Sequence, residues 1–115
     1  LVEDEVPVRS FTARALSMQD INVLEAGTAE EALTILEDDN LHIDIFVSDV
    51  VMPGQDGPTW VRKALKKRPD VKVIFVSGYA EETFSKEFGE IEGAIFLPKP
   101  FTLSKLTQTV HDLCQ

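Results

Sequence analysis

A single cysteine, Cys114, among 115 residues rules out an intramolecular disulfide, so the fold must stand on its apolar core alone. Long apolar runs are missing too: none approaches the ~20 residues of a membrane span. The N-terminal residues do not run from basic to apolar in the manner of a signal peptide. Basic residues are scarce, 11 Lys and Arg against 20 Asp and Glu. The resulting net charge of −9 argues against direct contact with nucleic acid, which needs clustered cations. Lys63, Lys66, Lys67 and Arg68 form one small basic cluster, and its place before Pro69 suits complementing the C-terminal end of a helix dipole. The two histidines, His42 and His111, lack partners at metal-ligand spacing, so neither a zinc site nor a phosphodonor histidine is expected. Repeats, linkers and low-complexity segments are absent as well. One domain, residues 1–115, is expected, without direct membrane contact.

What is present is a regular alternation of short apolar runs and amphipathic stretches. Leu1-Val2 reads as the end of a strand whose beginning lies outside this sequence. Pro7 then suits the first turn of a helix, along which Val8, Phe11, Ala15 and Leu16 recur at helical spacing to about Met18. Ile21 to Ala26 reads as a second strand. Thr28 and Glu31 form a capping box for a helix expected to bury Ala32, Leu33, Ile35 and Leu36. Asp44 to Asp49 is a third strand, closed by the turn residues Pro53-Gly54 and Asp56-Gly57. Pro58 opens a helix carrying Trp60, Val61, Ala64 and Leu65, which Pro69 ends. Val71 to Ser77 is a fourth strand, and Ala80 to Phe88 a weakly patterned helix. Ala94 to Leu97 is the fifth strand, broken by Pro98-Lys99-Pro100, and Leu103, Leu106, Val110 and Leu113 mark a last helix. Five strands alternating with five helices imply an α/β fold, with a parallel sheet covered on both faces.

In such sheets, chemistry gathers beyond the carboxyl ends of the strands. Glu3 and Asp4 follow the first strand, Asp49 the third, Ser77 the fourth and Lys99 the fifth, so parallel strands would crowd all of them onto one rim. Each residue alone has a plainer explanation: Asp4 or Asp49 as a cap, Ser77-Gly78 as an ordinary turn, Lys99 as a solvated cation. Together they point elsewhere. Packed carboxylates repel one another unless a cation neutralises them, and Mg²⁺ accepts a few carboxylates with water and phosphate oxygens. Aspartate can act as a nucleophile toward phosphorus, with an ammonium and a hydroxyl placed around the transferred group.

These elements, Glu3-Asp4, Ser48 to Gly54, Asp56-Gly57, Ser77 to Ala80 and Lys99-Pro100-Phe101, span the chain and together resemble a response-regulator receiver (CheY-like) domain. The resemblance implies a three-layer, doubly wound sheet of five parallel strands in the flavodoxin-like order 2-1-3-4-5. It implies Mg²⁺-dependent phosphorylation of Asp49 by a partner's phosphohistidine. Asp4 would bind the metal directly and Glu3 through water, with Asp49 and the backbone carbonyl of Val51 completing the protein's share of the shell; Ser77 would sense the phosphoryl group and Lys99 would pair with it. Phe96 would be the switch aromatic, where the family often has Tyr, and Lys99-Pro100 would be a cis peptide. Expected partners are a histidine kinase or a histidine phosphotransfer protein, docking at the first helix around Val6, Pro7, Arg9 and Ser10 and at the loop after Lys99. Glu82, Phe84, Lys105 and Gln108 would lie on the face that reports phosphorylation. The expected location is the cytoplasm, free or tethered to a membrane-bound kinase.

Within the family, the run from Asp49 to Ala80 looks most like receivers of hybrid sensor histidine kinases of the bacterial cell-cycle type. The alternatives are a stand-alone regulator and an unphosphorylated interaction module. An aspartyl-phosphate hydrolase is disfavoured because Val51 stands where such enzymes place a second acid. No independent turnover of a substrate is expected.

Overall fold

The computed structural model describes residues 1–77, 91, 93–99 and 101–114. The expected helix over 80–88, Gly78, Tyr79, Glu82, Phe84 and the Lys99-Pro100 peptide fall wholly or partly outside the described residues. In chain order the elements are α1 (Val6–Ser17), α2 (Ala29–Ile35), β1 (Ile45–Asp49), α3 (Gly57–Lys67), β2 (Lys72–Ser77), β3 (Ile95–Pro98) and α4 (Leu103–Cys114). The three strands form a parallel sheet in the order β1-β2-β3. Val47 pairs with Ile74 and Asp49 with Val76, while Ser77 pairs with Pro98.

The continuous apolar runs that announced these strands are explained by cover on both faces. Alternate side chains of a strand point to opposite sides. Phe46, Val73 and Phe75 join Ala29 and Ala32 of α2 and Trp60, Val61 and Ala64 of α3 in one core cluster. Val47, Ile74 and Val76 join Leu16 of α1 and Leu106 and Val110 of α4 in another. The sheet is therefore the middle of three layers. Phe46 and Trp60 meet edge to face, with centroids 5.0 Å apart, and fasten α3 to the sheet.

The N-terminal residues extend the sheet less fully than the sequence suggested. Val2 makes single parallel bridges to Ala26 on one side and Ser48 on the other, so it lies between those segments. Beyond Ala26 the 21–26 stretch has no ladder, and a cavity of about 590 Å³ opens among Leu1, Val23, Leu24, Ile43, Ile45 and their neighbours.

Three local devices hold the helices. Thr28 caps α2 by accepting from the Glu31 amide at 3.0 Å, while Glu31 accepts from Gly27 rather than completing the reciprocal bond to Thr28. Asp56 caps α3, accepting from the Thr59 amide at 2.8 Å. Lys66 and Lys67 occupy the last turn of α3, as the dipole argument required. Arg68 does something else: its guanidinium reaches back to the carbonyls of Leu36, Asp38 and Leu41, satisfying acceptors left open where α2 ends.

Helix α1 meets the apolar spacing read from the sequence with burial at Leu16 but not at Val8 or Phe11. Its buried residues are Thr12, Ala13 and Leu16, whereas Phe11 is 64% exposed and Val8 37%. The helix turns Thr12, Ala13 and Leu16 toward the sheet and leaves Val8 and Phe11 facing outward.

Candidate functional site

Asp49 ends β1 with its backbone held on both sides. Its amide donates to the Val2 carbonyl at 3.0 Å, and the next amide, Val50, donates to Asp49 Oδ1 at 2.8 Å. The second carboxylate oxygen, Oδ2, receives Lys99 Nζ at 3.1 Å. Lys99 is delivered there by the sheet. Its amide donates to the Ser77 carbonyl at 2.8 Å, carrying the β2–β3 pairing one residue further. Ser77 itself is buried and ends β2 one residue past the partner of Asp49.

Glu3 and Asp4 arrive from the Val2 bridge, with the Glu3 amide donating to the Ala26 carbonyl at 3.1 Å. Carboxylate oxygens of Glu3, Asp4 and Asp49 lie within 4.8 Å of one another. The N-cap of α1 is Glu5, which makes no side-chain cap bond, so Asp4 is not spent on capping that helix. Arg9, expected at a docking surface, instead turns inward. It donates to the Glu3 carbonyl at 2.9 Å and lies 3.6 Å from Glu25.

The electrostatics follow from this crowding. Glu3 is 5% exposed, and its carboxyl is pushed up from 4.5 to about 7. Burial is the largest cause, followed by the hydrogen bond and the repulsion from Asp49; Lys99 and the Glu5 amide pull the other way. The donor set is hard oxygen only, from three carboxylates and no soft ligand, which fits Mg²⁺ rather than a thiolate-seeking metal.

The structure thus brings together Glu3, Asp4, Asp49 and Lys99, with Ser77 on the adjoining strand end. Val51 lies in the following loop with its side chain 57% exposed. Phe96 is half-buried and stacks on Phe75 at 5.7 Å. From the sequence, Trp60 has only a packing role on its helix, and Ser48 figures only as part of the run Ser48 to Gly54. The buried indole Nε1 donates to Ser48 Oγ at 2.9 Å, and that hydroxyl donates to the Asp49 carbonyl at 2.7 Å. A polar residue inside an apolar strand was the available signal, because it cannot be buried cheaply without a partner.

A sheet whose strand ends gather acids and a lysine around one aspartate is the arrangement of a phosphoryl-accepting domain. Residues 1–111 match the response regulator receiver domain family, and the chain belongs to it. It is 48% identical over 115 residues to the sensor kinase CckA of Brucella abortus, covering all of this chain and 12% of that protein. The crystal structure of the receiver domain from a hybrid histidine kinase CckA superposes with a TM-score of 0.84 at 42% identity, over 99% of this chain and 95% of that one. The response regulator TrrA of Thermotoga maritima, solved in complex with Mg(2+)-BeF, shares the fold with a TM-score of 0.83 at 24% identity, over 97% of this chain and 94% of that one. The chain is a phosphorelay receiver domain, homologous to the CckA receiver. No helix among the described residues is long and apolar enough to cross a membrane.

Proposed function

We propose that Asp49 is the phosphoacceptor, taking a phosphoryl group from a phosphohistidine on a histidine kinase or a histidine phosphotransfer protein. The observation that carries this is the convergence of Glu3, Asp4 and Asp49 within 4.8 Å, with Lys99 on the outer oxygen of Asp49. A carboxylate oxygen of Asp49 forms the bond to phosphorus as the phosphorus–nitrogen bond to the imidazole breaks, the bonding pair leaving with the nitrogen. Glu3, Asp4, Asp49 and the Val51 carbonyl would hold Mg²⁺, which when bound neutralises charge on the phosphoryl oxygens. Lys99 leaves its ion pair with Asp49 to pair with the phosphoryl group, and the Ser77 hydroxyl donates to another of its oxygens. Phe96, lacking a ring hydroxyl, would follow Ser77 by packing alone, against Phe75.

The same reading completes the sheet to five strands in the order 2-1-3-4-5, which the bridges at Val2 support. Partner docking falls to the exposed start of α1, Val6, Pro7 and Ser10, extended by the exposed Val8 and Phe11, together with the loop after Lys99. Lys105 and Gln108, both exposed on α4, belong to the face reporting phosphorylation. The kinship with CckA supports a place within a cytoplasmic or membrane-tethered hybrid kinase.

Incubation with a small phosphoramidate donor and Mg²⁺, read by intact mass, tests the assignment. The wild-type domain should gain one phosphoryl group, and Asp49→Asn should gain none. Equal labelling of both proteins would refute the role of Asp49.

A further inference from the structure

We infer that Trp60 and Ser48 are positioning residues for phosphoryl transfer, acting on the Asp49 carboxylate through the peptide that follows it. This rests on Asp49 being the acceptor. Ser48 is 0% exposed and Trp60 1%. The Ser48 hydroxyl donates its one proton to the Asp49 carbonyl and accepts from the indole, so the carbonyl is clamped from the first turn of α3. The other end of that peptide is the Val50 amide, which donates to Asp49 Oδ1 at 2.8 Å. A peptide unit is planar and stiff. Rotating it to move its carbonyl would swing the N–H that orients the carboxylate.

The next carbonyl is fixed as well, because the Gly57 amide donates to Val50 at 2.8 Å. A Cβ at Gly57 would collide with the Asp49 carbonyl oxygen, so α3 meets this turn in backbone contact. A fully buried serine–tryptophan pair contributes little stability beyond apolar residues of the same shape. What it adds is direction, and reactions between positioned groups respond steeply to small displacements.

Phosphoryl uptake from a small phosphoramidate donor should fall about tenfold in Ser48→Ala, a displacement-sized effect, and recover in Ser48→Thr. The alanine variant also strands the indole N–H, so the double variant Ser48→Ala/Trp60→Phe is the stricter test. It removes donor and acceptor together and should regain thermal stability while uptake stays slow. Trp60 is the only tryptophan, so its emission reports this contact in the wild-type protein and should change when Mg²⁺ and beryllofluoride are added. Uptake returning along with stability in the double variant, or an emission indifferent to beryllofluoride in a protein that takes up phosphate, would overturn the inference. Wild-type protein that takes up no phosphate would overturn the acceptor assignment beneath it.

Discussion

The proton on Glu3 offers a sharp test of the acidic rim. Its carboxyl titrates near 7 in the folded domain and near 4.5 when unfolded, burial and Asp49 being the main causes. Between those values the folded form holds a proton that the unfolded form has released. Stability from this group is therefore full below pH 4.5, falls as pH rises and is gone above about 7. At about 1.4 kcal/mol per unit the limit is about 3.5 kcal/mol, and the part lost between pH 5.5 and 8 is about 2 kcal/mol or less. Urea denaturation in chelator should give a lower unfolding free energy at pH 8 than at pH 5.5, and Glu3→Gln should flatten that difference. On the proposed reading a cation held beside this carboxyl favours its charged form, so Mg²⁺ affinity measured by calorimetry should rise, by up to about tenfold per unit, below pH 7 and then level off. A pH-independent affinity, or a slope that survives in Glu3→Gln, would refute the reasoning.

Other perturbations separate chemistry from architecture. Val51 is exposed two residues after Asp49 and cannot orient a hydrolytic water, so Val51→Asn should shorten the lifetime of the phosphorylated domain several-fold, as followed by phosphate release; an unchanged or longer lifetime counts against this. Gly57→Ala drives a methyl into the Asp49 carbonyl and should cost about 2–3 kcal/mol in chemical denaturation. Arg68→Ala frees the carbonyls of Leu36, Asp38 and Leu41 and should lower stability by about 1–3 kcal/mol, with phosphoryl uptake at Asp49 unchanged.

The strand-end logic was legible because it depends on order along the chain. An acid closing an apolar run at Asp49 and a lysine after the run ending at Leu97 can be read without knowing any angle, and parallel pairing then brings them together. Direction across a helix was not legible. Periodicity marks α1 as amphipathic, but it does not say whether Phe11 or Thr12 faces the sheet, and in the fold it is Thr12 and Ala13 that are buried. Long side chains escaped for a similar reason. Arg9 and Arg68 reach carbonyls in other segments, and sequence spacing carries no trace of where a flexible cation will find acceptors.

The charges at the rim explain why its parts belong together. Two unit charges 4.8 Å apart, the widest spacing among these oxygens, repel by about 3.5 kcal/mol at an effective dielectric near 20, so crowding three carboxylates around one ammonium is costly at the end of β1. The raised Glu3 carboxyl relieves its repulsion with Asp49, and Lys99 pairs with the Asp49 Oδ2. On the proposed reading, proton and divalent cation compete for this acidic rim. In that reading Asp49 Oδ2 stays paired with Lys99 until the negative phosphoryl group draws the ammonium to itself, with a divalent cation taking over the compensation of the carboxylates.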